Sequence, residues 1–200
     1  GLLGMSAAPL RAFIRTRPGL EAPNAVIGWV PFFMTENFKL SDRSGVTAFM
    51  HILRSESTGN IHLKSADPTA PPAINFNFLS AQLDRDVTLE SMRIARNVMT
   101  SPALQGIITE EVAPGIDMDE DETLLDWVRQ TAETTYHPVG TCKMGSDAMA
   151  VVDDRLRVHG VERLRVADAS IMPTLTSGNT NAPSIMIGEK CSRMMLADIP

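Results

Sequence analysis

The sequence lacks the features that mark several broad classes of protein. Only two of its 200 residues are cysteines, Cys142 and Cys191. A disulfide framework is therefore excluded and a reducing, cytoplasmic compartment is favoured, although one bridge between the two stays open. No apolar run reaches the length of about 18 residues that a membrane-spanning helix needs. The N-terminus lacks the charged and apolar regions of a signal peptide, and we interpret it as an internal cut point.

Basic residues are also few, and they are scattered. Eighteen Lys and Arg oppose 24 Asp and Glu, which gives a formal net charge of -6. Because a phosphate-binding surface is built from clustered cations, we expect no nucleic-acid partner. His51, His62 and His159 have no metal-ligand spacing with each other or with the cysteines, so we expect no metal site. The 44% hydrophobic content nevertheless predicts a globular protein with a real core.

The pattern along the chain predicts an α+β fold, an antiparallel sheet backed by helices. Two strands form a hairpin and a short strand follows them, while a Pro-rich and aromatic stretch before them reads as loop with short extended pieces. A long helix begins at an N-cap, Ser80, and a second follows an acidic run. A strand candidate and a helix end the chain. In order, these segments are the loop 18–42, the strands 47–54, 60–64 and 73–76, the helix 80–101, the acidic run 117–122, the strand 164–167 and the helix 182–196.

Two segments contain residues that are poor choices for plain structure. His137 is followed by Pro138, which biases it away from helix, and by Gly140, so its imidazole is presented from a rigid extended segment that suits a general base. A histidine considered alone is more often structural. In the second segment Thr180 or Asn181 can cap a helix that carries Pro183 in its first turn. Its free N–H groups could hold an anion, although most capped helices are only capped.

Together these segments resemble the C-terminal region of the glucose-methanol-choline (GMC) oxidoreductases, and most closely the choline dehydrogenase-like branch. The resemblance covers about residues 45–198, whereas residues 1–44 match loosely. The motifs that carry it are GNIHLKSADP at 59–68, PAINFNFLS at 72–80, YHPVGTCKMG at 136–145, VADASIMP at 166–173 and GNTNAP at 178–183. One departure is Lys143, where the family more often has Arg.

The resemblance implies an FAD-dependent enzyme that oxidises a primary alcohol, choline-like or other, to an aldehyde by base-assisted hydride transfer. It implies that His137 is the catalytic base and that Asn179 is the second polar group facing the substrate. It also implies a set of residues close to the FAD: Tyr136, Asp168, Ala169, Thr180, Asn181 and Ala182.

The resemblance further implies that residues 1–148 form a substrate-binding domain and that residues 149–200 return to the FAD-binding domain. We expect two partners, a small alcohol and an N-terminal FAD-binding part of the same protein, and an oligomer is compatible with the sequence. No Gly-x-Gly-x-x-Gly turn is present to hold the dinucleotide. The piece alone is therefore expected to be inactive and to bind FAD weakly. The alternative is a non-catalytic module, a truncated or degenerate relative with a binding or structural role.

Overall fold

The computed structural model describes residues 8–33 and 40–199, so residues 34–39 of the predicted loop lie outside the described residues. The chain divides into two compact units. One unit contains the chain up to Glu56 together with Leu79–Glu133, and the other contains Ser57–Phe78 together with the chain from Thr134 onward. Within the described ranges, no helix combines the length and the apolar character needed to cross a membrane.

A three-stranded antiparallel sheet forms one side of the first unit. Its strands are β1 (Leu10–Ile14), β2 (Ala25–Val30) and β3 (Thr47–Ile52), with β2 in the centre. The interpretation of 18–42 as loop with short extended pieces allows for this strand but did not identify it as the centre of a sheet. Its apolar run AVIGWV is a typical buried strand, and Ala25, Val26 and Ile27 are almost fully buried. Gly28 leaves room for the ring of Phe49, which would have to shift if a Cβ were present, since that atom would lie 2.2 Å from it.

Two helices complete the first unit, and both were predicted. Helix α1 spans Gln82–Met99 and helix α2 spans Asp121–Thr131. They share a core made of Leu89, Met92, Leu124, Leu125 and Val128. Ser80 was wrong as the cap of α1, because Ala81 occupies that position and the guanidinium of Arg85 instead binds the carbonyls of Leu79 and Ser80. The acidic run does precede α2, whose first turn carries Asp121 and Glu122.

The second unit contains a two-stranded antiparallel sheet, β4 (Asn60–His62) with β5 (Ala73–Asn75). The predicted hairpin between 47–54 and 60–64 was wrong, because β3 pairs with β2 and β4 pairs with β5. The chain after β3 does not turn back on itself. Instead, the N–H of Leu53 binds the carbonyl of Asn24, and the N–H of Glu56 binds the carboxylate of Asp84.

The rest of the second unit is irregular chain packed on helix α3 (Asn181–Ala197). The final helix was predicted, but 164–167 is not a regular strand and contributes only an isolated bridge between Arg157 and Arg165. Both cysteines are free thiols, so the bridge that the sequence left open is not formed. The core of this unit consists of Val152, Leu156, Ile171, Met172, Ile187 and Cys191. Antiparallel sheets combined with three α-helices confirm the α+β class.

Asp84 joins α1 to the segment after β3, and this contact gives a test of the fold. Its carboxylate is 1% exposed and accepts hydrogen bonds from the hydroxyl of Ser55 and the N–H of Glu56. In the full-length protein, Asp84→Ala should destabilise this unit by about 1.5–3 kcal/mol, because two donors lose a buried, charged acceptor. Asp126→Ala is the control: this carboxylate is exposed and forms an ion pair with Arg129, an arrangement worth about 0.2–1 kcal/mol. Equal shifts in the thermal midpoint would contradict the structural role of Asp84.

Candidate active site

The imidazole of His137 lies between the side chains of Asn179 and Thr180. Its Nδ1 is 2.9 Å from the hydroxyl oxygen of Thr180, and its Nε2 is 2.8 Å from Nδ2 of Asn179. His137 is half-buried, Asn179 is exposed and Thr180 is only 8% exposed. The two segments that stand out in the sequence are therefore brought together at this ring.

These contacts indicate which nitrogen of a neutral ring carries the proton. An amide nitrogen is a donor only, so Nε2 accepts from Asn179 and carries a lone pair rather than a proton. The proton of the neutral imidazole is then on Nδ1, which donates to the hydroxyl oxygen of Thr180. Nε2, which contacts the exposed Asn179, is thus the ring nitrogen that can take a proton.

The backbone around His137 is fixed on both sides of the ring. Tyr136 has a left-handed conformation (φ 60°), and its N–H binds the hydroxyl of Thr134 at 3.0 Å. Val139 packs against the core of the second unit. Gly140 has φ +89°, which favours glycine, and a Cβ there would meet the carbonyl oxygen of Met172 at 3.4 Å. These contacts support the prediction that a rigid segment presents the imidazole of His137.

Backbone hydrogen bonds hold the histidine segment beside the VADASIMP motif. The N–H of Cys142 binds the carbonyl of Ser170 at 3.0 Å, and the N–H of Met144 binds that of Ile171 at 2.7 Å. Residues Ala169–Ile171 form a short 3₁₀ helix, and the carboxylate of Asp168 caps it by accepting from the N–H of Ser170 at 2.7 Å. Asp168 is exposed, whereas Ala169 packs on the core.

Helix α3 begins at the site without a side-chain cap. Thr180 occupies the N-cap position, but its hydroxyl makes no capping bond and contacts His137 instead. Its carbonyl accepts from the N–H of Ser184 at 3.0 Å, and Asn181 and Ala182 are exposed in the first turn. Because the first N–H groups of a helix have no partner inside the helix, this turn offers donors to an acceptor outside it. The expectation that Thr180 or Asn181 caps the helix fails for Thr180 because the ring takes its hydroxyl.

The predicted residues thus fall into two groups. The side chain of His137 contacts those of Asn179 and Thr180, and Asn181 and Ala182 follow in the first turn of α3. The hydrogen bonds of the 168–171 segment instead run to 142–144, and the side chain of Tyr136 is 77% exposed. Sequence reasoning had placed Thr180 beside the cofactor and as a possible helix cap. It missed the contact with His137, for which a separation of 43 residues gives no local signal.

Lys143, the departure from the family pattern, forms a local ion pair. Its ammonium lies 2.9 and 3.0 Å from the two carboxylate oxygens of Asp147. This hydrogen bond, together with the N–H of Met149, lowers the pKa of Asp147 below its ordinary value. The spacing of four residues could have suggested this pair. Across the described residues, no group of His, Cys, Asp and Glu has an arrangement that could hold a metal ion.

A family model described as GMC oxidoreductase matches residues 55–188, which include both segments of the site. The chain therefore belongs to the GMC oxidoreductase family. The resemblance drawn from the motifs is confirmed, including its choline dehydrogenase-like branch. The "oxygen-dependent choline dehydrogenase" of Cronobacter sakazakii is 47% identical over 89% of this chain, and that of Pseudomonas syringae pv. tomato is 45% identical over the same share. This chain spans about a third of the length of these relatives, 32% in each case.

Solved structures have the same fold. Pyridoxine 4-oxidase from "Mesorbium loti" superposes with a TM-score of 0.87 at 26% identity, over 97% of this chain and 39% of that one. A formate oxidase superposes with a TM-score of 0.80 at 29% identity, over 90% of this chain and 32% of that one. A fungal aryl-alcohol oxidase superposes with a TM-score of 0.75 at 30% identity, over 89% and 28%.

Proposed function

We propose that this chain is the C-terminal part of an FAD-dependent GMC oxidoreductase that oxidises a primary alcohol to an aldehyde, with His137 as the base. The observation that carries the proposal is the contact of Nε2 of His137 with Nδ2 of Asn179 at 2.8 Å. In a neutral ring, the lone pair on Nε2 faces the amide donor of Asn179. A hydroxyl group bound there would meet one acceptor for its proton and one donor for its oxygen.

In the proposed reaction His137 takes the hydroxyl proton on Nε2. Asn179 donates Nδ2–H to the same oxygen and stabilises the negative charge that develops on it. Loss of the proton makes the carbinol carbon a better hydride donor, and FAD, when bound, supplies the hydride acceptor. A positioned base contributes about 10²- to 10⁴-fold to such a rate.

The start of α3 fits the flavin that this chemistry needs. The uncapped first turn presents the backbone of Asn181 and Ala182 beside the ring of His137, and a helix N-terminus stabilises an electron-rich group placed against it. Thr180, Asp168, Ala169 and Tyr136 complete the set that we propose as cofactor contacts. We keep the assignment of residues 149–200 to the FAD-binding domain and of residues 1–148 to the substrate-binding domain.

The proposed partners are an alcohol and the N-terminal FAD-binding part of the same protein. Helix α3 supports the second, because large apolar side chains remain exposed on it beside a buried face, among them Ile185 (66%) and Met186 (55%). A helix that is apolar on most sides is normally covered. The named relatives support a choline-like alcohol as substrate. The two free thiols agree with a reducing, cytoplasmic location.

The 200-residue chain on its own should bind FAD weakly. The dinucleotide turn is not part of its sequence, and the backbone donors of one helix terminus offer few contacts. Purified and dialysed, the 200-residue chain should be colourless, whereas the full-length protein should show flavin absorption. A yellow preparation with stoichiometric FAD after removal of free flavin would contradict this expectation.

His137→Ala in the full-length protein should slow flavin reduction by the alcohol about 10²-fold or more, because the proton loses its acceptor. Flavin content should stay the same. His62→Ala, which removes an exposed imidazole on β4, is the matched control and should change the rate by little. The measurement is anaerobic stopped-flow absorbance. If His137→Ala reduces its flavin within a few-fold of the wild-type rate, His137 is not the base, and the non-catalytic module gains support.

Asn179 and His137 should act on one substrate oxygen. Asn179→Ala removes a hydrogen bond worth about 1–3 kcal/mol in the transition state, but it should cost less when His137 is already alanine. A double-mutant cycle on the rate of anaerobic flavin reduction measures this coupling. If the two losses are strictly additive, or if Asn179→Ala lowers only the melting temperature, the two residues do not share a substrate oxygen.

A further inference from the structure

Thr180 occupies a helix-capping position without capping the helix. Threonine at this position usually accepts a hydrogen bond from the second or third N–H of the helix. Here Pro183 has no N–H to offer, and the hydroxyl lies 2.9 Å from Nδ1 of His137 instead. Thr180 is also 8% exposed, so the contact is made away from solvent. The hydroxyl of Thr180 therefore binds His137 and does not cap the helix.

The amide of Asn179 can serve either tautomer of His137. Its amide can donate through Nδ2 to an unprotonated Nε2, or it can turn and accept a proton from Nε2 through Oδ1. In the structure Nδ2 faces Nε2, so the proton is on Nδ1 and needs an acceptor there. The hydroxyl oxygen of Thr180 is that acceptor.

We propose that Thr180 is a positioning residue that holds His137 as the Nδ1–H tautomer, with the lone pair of Nε2 directed to the substrate position. Without the hydroxyl, a proton on the half-buried Nδ1 loses the acceptor that the structure gives it, while Asn179 can accept a proton from Nε2 after its amide turns. The ring then shifts to the Nε2–H tautomer, which has no lone pair at the substrate position. The expected effect of Thr180 on the reaction rests on the proposed function. The expected tautomer of His137 does not rest on it.

The test uses three variants of the full-length holoprotein. Thr180→Val removes the hydroxyl and keeps the branched shape, and Thr180→Ser restores a hydroxyl. Thr176→Val is the matched control, since it makes the same chemical change in the same loop. There the hydroxyl donates to the carbonyl of Gly178 at 3.3 Å and not to the ring. If Thr180→Val fails to fold, Thr180→Ala provides the same comparison with a smaller side chain.

The first measurement is the tautomer. Nitrogen-15 NMR of protein labelled on histidine distinguishes protonated from unprotonated ring nitrogens, and the His137 signals are assigned by their loss in His137→Gln. We expect Nδ1–H in the wild type, in Thr180→Ser and in Thr176→Val, and a shift to Nε2–H in Thr180→Val. The inference is overturned by Nε2–H in the wild type, or by unchanged signals in Thr180→Val.

The second measurement is the rate of anaerobic flavin reduction over a range of alcohol concentrations. Thr180→Val should lower the limiting rate by about 10-fold or more, but by no more than His137→Ala does, because its effect acts through that ring. The apparent dissociation constant of the alcohol should change little, and all rates are expressed per bound flavin. Thr180→Ser should recover most of the rate. A loss in Thr180→Val that Thr180→Ser does not recover would overturn the positioning role.

The two measurements separate the two ideas. If His137→Ala reduces flavin normally, the proposed base is wrong, whatever the NMR shows about Thr180. If His137→Ala is slow but Thr180→Val keeps both the Nδ1–H tautomer and the rate, the proposed function stands and the inference about Thr180 fails.

Discussion

The hydrogen bond between His137 and Thr180 joins two parts of the chain that lie 43 residues apart, and the candidate site depends on it. One end is carried by a segment whose backbone is bonded to Ser170 and Ile171. The other end is the residue at which α3 begins. Both supports rest on the same apolar core, in which Ile171 packs with Ile187 of α3. The ring is therefore positioned by packing as well as by its own polar contacts, which is what a base of defined geometry requires.

Helix α3 both completes the core of the second unit and begins beside His137. Its buried residues, Ile187 and Cys191, complete the core, while its N-terminal turn is left uncapped next to the histidine. Its far end is fixed by Asp198, whose carboxylate binds Arg165 and Arg155. The hydrogen bond from Arg165 lowers the pKa of Asp198 below its ordinary value. A helix held at both its core face and its end keeps its first turn in a constant place, so the donors there are preorganised for a bound group.

The sequence predicted what local pattern and motif determine, and it missed what distant contacts decide. The three helices were found because their apolar spacing and end residues are local features. The pairing of β3 was wrong because its partner β2 lies before it in the chain, separated from it by residues 31–46, whereas the prediction paired β3 with the strand that follows it. The buried run of β2 was hidden by neighbouring prolines and aromatics. At the site, His137 and Asn179 were suggested by the motifs. The contact of Thr180 with the ring could not be predicted from the motifs, because a threonine before Asn181 and Pro183 has the ordinary pattern of a cap.

The contact between His137 and Asn179 also bears on how a substrate would enter the proposed site, because Nε2 and Nδ2 lie 2.8 Å apart. At this distance no oxygen fits between the two side chains, so a substrate hydroxyl must displace one of them. Thr180 is buried and Asn179 is exposed, so we expect Asn179 to move while the ring stays on Thr180. In the reaction that we propose, Nε2 would then accept the proton of the hydroxyl and Asn179 would donate to its oxygen, which would replace the resting contact with two bonds directed at the atoms that react.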